Sequence, residues 1–184
     1  MKKILFSLSL AAMAFFTAAA SNVLNVNKAS NLDAPGAILA ADLPWHGNFT
    51  KLLHMTPADV QTRFKIAHDN RNLFLAVEAY DDMSKIVCQN YPQDHRRRTH
   101  NDYITIDFDT EGNNMTTGKI IVDANGGVTD FWGEDDNTGT GRIIYSPHWN
   151  SSVKIISAKK YADHWTVEMS IPLGVFFQGK QKSR

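Results

Sequence analysis

The stretch RRRTHNDYITIDFDTEGNN, from Arg96 to Asn114, sets three guanidinium groups, a strand pattern and a run of oxygen-bearing side chains side by side. Asp109, Glu111 and Asn113 alternate along its final turn, and alternate oxygen ligands can converge on a hard cation such as Ca²⁺. No EF-hand spacing follows, and Asp and Asn favour turns in their own right, so a structural calcium site and a plain turn both fit. Arg96, Arg97 and Arg98 can clamp an acidic group through paired hydrogen bonds, or stand as a solvated loop. Asp102, beside His100 and Asn101 at the mouth of a strand, can accept a ligand hydroxyl or satisfy backbone N–H groups at the strand start. The acidic loop of Glu134, Asp135, Asp136 and Asn137 reads as a solvated turn or as further oxygen ligands.

The elements that must hold these groups are strands. Alternation recurs in short runs separated by Gly, Asn, Asp and Pro, with little helical periodicity. In RFKIAHD, Phe64 and Ile66 oppose Arg63, Lys65 and Ala67. In NLFLAVEAY, Leu73, Leu75, Val77 and Ala79 oppose Phe74, Ala76, Glu78 and Tyr80. In DYITIDFD, Ile104, Ile106 and Phe108 oppose Tyr103, Thr105, Asp107 and Asp109, which makes Asp107 part of a solvated face. KIIVDANGGVTDFW reads as a hairpin around Asn125, Gly126 and Gly127, residues that tolerate positive φ. VKIISAKKYADHWTVEMSIP gives another, ended by Pro172, which has no N–H for a ladder. With no convincing helix to cover the apolar faces, a second sheet is the economical partner. The expected fold is all-β, an antiparallel β-sandwich.

The chain is 184 residues long, with 19 Lys plus Arg against 19 Asp plus Glu. That balance gives no long-range attraction to nucleic acid or anionic membranes. Lys2 and Lys3 precede an apolar run from Ile4 to about Phe16, and Ala18 and Ala20 suit cleavage before Ser21, so residues 1–20 read as a secretory signal peptide. The run is too short to span a bilayer comfortably, and no membrane insertion is expected after cleavage. Export places the mature chain in the periplasm or outside the cell, where the single cysteine, Cys88, excludes an internal disulfide framework. Residues 21–41 read as a polar N-terminal lead and 42–184 as one domain.

Four stretches in order, DLPWHGNF, TRFKIAHDNRNLFLAVEAYDD, NDYITIDFDTEG and HWTVEMSIPLGVF, resemble the family 9 carbohydrate-binding modules (CBM9) and their wider DOMON-like relatives. The resemblance covers roughly Asp42 to Phe177. It implies a non-catalytic β-sandwich that docks saccharides, exported and often attached to or encoded beside a glycoside hydrolase, in support of carbohydrate catabolism. It also implies core positions for Trp45 and Trp165, and some relatives bind calcium. Family members continue past the Ile-Pro segment, so the domain is expected to be incomplete at its C-terminal end, with apolar surface left around Phe176 and Phe177.

Departures from the family pattern relocate the site. A pyranose packs its C–H faces on a π-surface while its hydroxyls take charge-assisted hydrogen bonds. One family ring position is occupied by Thr99, a family Glu by Thr105, and polar positions on the next strand fall at Ile120 and Val122. Trp132 in DFWGEDD and Trp149 in SPHWNSS stand at polar loop junctions and are the expected replacement stacking rings, with Asp102 and His100 as polar contacts. No Gly-x-Ser-x-Gly or His-Glu-x-x-His motif appears, so independent catalysis is not expected. The competing readings are a haem-binding electron-transfer sandwich, with axial ligands among His68, Met83, His95, His100 and Met115, and an envelope protein without a small ligand.

Overall fold

The computed structural model describes residues 6–8, 24–51, 56–109, 112, 116–135, 138, 142–146 and 148–175. In chain order the elements are β1 (Phe6–Leu8), β2 (Asn27–Lys28), α1 (Ala37–Ala40), β3 (Thr62–His68), β4 (Asn72–Tyr80), a 3-10 helix (Arg96–His100), β5 (Tyr103–Phe108), β6 (Thr116–Asp123), β7 (Val128–Asp135), β8 (Ile143–Ser146), β9 (Lys154–Lys160) and β10 (His164–Pro172). They form two five-stranded sheets, ordered β1-β5-β6-β7-β8 and β2-β3-β4-β10-β9. The long strands pair antiparallel, while β1 and β2 add short parallel strands at β5 and β3. The fold is the β-sandwich expected from alternation. Among the described residues no helix is long and apolar enough to cross a membrane.

Register carries the alternation through each sheet. Ile106 faces Ile120 and Ile104 faces Val122 across β5 and β6. In the second sheet Phe64 faces Val77, which faces Val167, and Ile66 faces Leu75, which faces Met169. These side chains and Trp165 form one buried cluster between the sheets. Each such burial contributes about 1.5–3 kcal/mol, so the sandwich rests on the period-2 pattern. Ile120 and Val122 belong to this core; the positions of β6 that face outward are Lys119, Ile121 and Asp123. The polar positions implied by the family likeness therefore cannot act at Ile120 and Val122, whose side chains are shut between the sheets.

The outer face of the second sheet is covered from the N-terminal side. Leu32 and Ile38 pack on Ala67, Phe74 and Ala76, so the stretch read as a lead contributes a second apolar cluster. The single turn of α1 is held at both ends by charges from the sheet. Glu168, fully buried, accepts from the N–H groups of Gly36 (2.5 Å), Ile38 (2.9 Å) and Leu39 (3.0 Å) and from Ser157 Oγ (2.6 Å). Lys65 Nζ donates to Leu39 O and Ala41 O, both at 2.7 Å. A carboxylate at the amino end and an ammonium at the carboxyl end satisfy the backbone groups that a helix leaves orphaned.

Trp45 departs from its expected core position. It lies half-buried on this outer face, with the Arg63 guanidinium 4.3 Å and the Lys65 ammonium 4.9 Å from its ring centre. The reason is the parity of β3: Phe64 and Ile66 point inward, so the ring that covers Arg63 and Lys65 must sit outside. Trp165, in contrast, is in the core.

Candidate functional site

The loop before β5 is organised by Arg98, which is 2% exposed. Its Nη1 pairs with Asp123 Oδ2 at 2.5 Å, Nε donates to Thr129 Oγ1 at 3.0 Å, and Nη2 donates to the carbonyls of Tyr91 (2.9 Å) and Pro92 (2.7 Å). This corrects the reading of the three arginines as a solvated loop or an anion clamp: Arg98 has spent its donors inside the protein. Space for the guanidinium comes from Gly127, where a Cβ would fall 1.7 Å from Nη1. Arg97 is exposed.

Asp102 braces the same region. Its Oδ2 accepts from Val87 N at 2.6 Å, its own N–H donates to Val87 O at 2.7 Å, and Ala124 N donates to its carbonyl. This is the strand-start role weighed for it above. The crevice that Asp102 lines with Tyr80, Asp81, Tyr103 and Trp165 has room for about one water. His100 ends the 3-10 helix and is exposed. Asp109 Oδ1 accepts from Gly112 N at 2.8 Å, an Asx turn, while Glu111 and Asn113 lie outside the described residues. Among the described residues no group of three or more His, Cys, Asp or Glu side chains is gathered as metal ligands. Of the haem-ligand candidates, His68 and His95 each use Nδ1 to accept a backbone N–H, and Met115 lies outside the described residues.

The structure does bring Trp132 and Trp149 together. Their ring centres are 5.7 Å apart and the planes are inclined at 51°. Gly118, opposite Trp132 in the β6–β7 ladder, makes this possible: a Cβ there would lie 3.1 Å from Trp149 Cη2 and 3.6 Å from Trp132 Cζ3. Trp149 leans on the core cluster, and its loop is tied back by Ser151, whose N–H and Oγ donate to Asp130 Oδ2 at 2.7 and 2.5 Å. Trp132 lies within β7, paired on both sides, and not at the loop junction expected from its polar flanks; it stays half-exposed, and its Nε1 donates to Glu134 Oε1 at 3.0 Å. Ile144 faces Glu134 from β8 and is 57% exposed. The result is an apolar surface of indole and isoleucine bordered by a solvent-facing carboxylate.

A second grouping occupies the outer side of the same strands. Asp107 Oδ1 pairs with Lys119 Nζ at 3.2 Å, directly across β5 and β6, and both side chains are mostly covered. Lys119 also stands 5.1 Å from the Tyr145 ring centre, and Tyr145 meets Phe131 edge-on at 6.3 Å. Burial pushes the Asp107 carboxyl up from its ordinary value, against the pull of the Lys119 ammonium. Burial opposes the charge on Lys119, but Asp107 and Tyr145 outweigh it and its pKa is raised. Sequence reading placed Asp107 on a solvated face. It is paired instead with Lys119, which itself stands over the Tyr145 ring, and the available signal was the opposite charge facing it in the hairpin register.

These sheets and their order define the class: a two-sheet β-sandwich whose fold is like that of CBM9. In particular, the chain superposes on a candidate carbohydrate-binding protein from Bacteroides uniformis with a TM-score of 0.63 at 16% identity, covering 87% of this chain and 77% of that one. It also superposes on a family 9 carbohydrate-binding module from Caldicellulosiruptor kristjanssonii, solved in complex with glucose, with a TM-score of 0.51 at 16% identity, covering 80% and 67%. At that identity the likeness is one of fold. No family profile and no curated protein matches the chain.

Proposed function

We propose that this chain is an exported, non-catalytic carbohydrate-binding sandwich that docks a saccharide on Trp132, with Trp149 as the buttress behind the ring and Glu134 as the acceptor for sugar hydroxyls. The observation that carries this reading is the pairing of the two indoles over Gly118 beside an exposed carboxylate. A half-exposed indole offers the π-face that a pyranose C–H face packs on, and hydroxyls exchanged from water contribute only about 0.5–1.5 kcal/mol net each. The ring therefore dominates affinity. The likeness in fold to a module solved with glucose supports the ligand class. A role beside a glycoside hydrolase, and release of residues 1–20 on export, belong to the same proposal; the released stretch includes β1, so the mature first sheet would keep β5-β6-β7-β8.

A glycan array followed by titration of any saccharide it retains tests the site. Trp132→Ala should weaken binding by about 1–3 kcal/mol, by analogy with base–aromatic stacking, with an unchanged melting temperature. Trp149→Ala should lose stability as well as affinity, because that ring leans on the core. Full affinity in both folded variants would place the sugar elsewhere. Mass spectrometry of the periplasmic fraction tests export, and an exported chain still starting at Met1 would refute cleavage.

A further inference from the structure

We propose that β8 is a docking edge for a second copy of this chain, which pairs its own β8 antiparallel across a two-fold axis so that two sandwiches share one continuous sheet. β8 closes the first sheet, and among the described residues no backbone hydrogen bond reaches Ile143–Ser146 from any element but β7. An edge strand presents a row of unpaired N–H and C=O groups, and proteins ordinarily guard it with charges, proline or a covering segment. The edge of the second sheet is guarded in that way, since β9 carries Lys154, Lys159 and Lys160. β8 carries no charge. It holds two of the three large apolar side chains that are exposed among the described residues, Ile144 at 57% and Tyr145 at 42%. Such an edge is a surface on which another strand adds.

Parity selects a second copy as that strand. Ile144 shares one side of the sheet with Trp132 and Glu134, while Ile143 and Tyr145 lie on the other, over Gly133. A two-fold axis normal to the sheet keeps each side with itself, so residues face only residues of like parity. Centred on Ile144, the pairing sets Ile144 against Ile144, Ile143 against Tyr145 and Arg142 against Ser146. All three apolar residues then meet apolar partners, and Pro147, with no N–H to give, stays outside the ladder. Charge agrees as well. On the side of Trp132, the exposed Arg142 of each copy comes within about 12 Å, Cα to Cα, of the exposed Glu134 of the other, and the two long side chains bring opposite charges together. Four residues a side make a small interface of the weak, transient class. The two Trp132 rings would stand on one side of the shared sheet about 20 Å apart, giving two contacts to one polymer. That consequence rests on the saccharide reading; the pairing does not.

Sedimentation velocity of the purified chain without sugar, from micromolar concentration to about 1 mM, tests the pairing. Wild type should pass from monomer to dimer as concentration rises. Ile144→Lys sets like charges against each other at the axis and should weaken the dimer about a hundredfold, with an unchanged melting temperature because the side chain is exposed. Tyr161→Lys, at the third exposed side chain, should dimerise as wild type does. Register is read by Ile144→Cys in a Cys88→Ser background, which should give a disulfide-linked dimer on mild oxidation. Ile143→Cys in the same background should not, since the two copies of that position lie about 8 Å apart across the axis, beyond disulfide reach. If Ile144→Lys fails to fold, the cysteine pair decides. A wild type still monomeric at the highest concentration, a dimer that survives Ile144→Lys or is lost in Tyr161→Lys, or a link at Ile143→Cys would overturn the pairing. So would a dimer linked at neither cysteine, which would assign association to another edge, such as β5 bared of β1. Saccharide binding by a chain that stays monomeric would refute the pairing and keep the reading of Trp132.

Discussion

Replacing Arg98 with Met tests whether the loop before β5 is built around a buried cation. Methionine keeps much of the apolar stem but removes the pair with Asp123 and the donors to Thr129, Tyr91 O and Pro92 O. Removing one partner of a buried pair costs about 3–5 kcal/mol, because the other charge stays behind without its counter-ion. Asp123 keeps the Asn101 amide at 2.9 Å and the N–H groups of Asn125 at 3.0 Å and Gly127 at 2.8 Å, which places the loss near the lower end, about 3 kcal/mol. Against a total stability of about 5–15 kcal/mol this is a large fraction. With a urea dependence of about 1–3 kcal/mol per molar, the midpoint should fall by roughly 1–3 M. Arg97→Met, one residue away and exposed, should shift stability by no more than about 0.5 kcal/mol. Coincident unfolding curves for the two variants would refute the argument, because the guanidiniums would then be equivalent surface groups.

Two further outcomes follow from the sheet that carries the rings. The folded-state pKa of Asp107 lies above its unfolded value, so this group's contribution is fully present below the ordinary 3.8 and declines as pH rises toward the raised value. Melting curves of Asp107→Asn and wild type across pH 3–6 should therefore diverge in the variant's favour with rising pH; a gap that moves the other way would reverse the assigned direction. Gly118→Val should force the indoles apart, costing about 1–3 kcal/mol in urea unfolding and changing the near-ultraviolet circular dichroism. Unaltered aromatic dichroism in that variant would mean the rings do not rest on this glycine.

Period-2 alternation made most of the sandwich legible, because burial of one face acts locally on each strand. Phe64, Ile66, Leu75, Val77, Ile104 and Ile106 all occupy the inner face their parity implies. The Asn125-Gly126-Gly127 turn was equally readable, and Gly126 takes φ 77° there. Hidden features depend on partners distant in sequence. Nothing in RRRTH distinguishes Arg98 from its neighbours until Asp123 and Gly127 are folded against it. Nothing near Ala37 signals a helix, since both of its charged supports lie elsewhere in the chain. Trp132 and Trp149 were readable as polar-flanked rings, but their contact needed Gly118 on a third segment. Trp45 misled because an apolar ring covering two cationic side chains outside a sheet has the same local sequence as one in the core.

The support of α1 also dictates an order of assembly. Gly36 is 132 residues from the carboxylate that accepts its N–H, and Leu39 lends its carbonyl to a lysine 26 residues on. Closing the longer loop costs entropy before any bond rewards it. An N-terminal fragment ending before β9 would hold Lys65 but neither Glu168 nor Ser157, so this turn would lack the acceptor for three of its amides. Helix α1 is thus completed by the last described strand, and its turn stays solvated and unformed until β10 arrives.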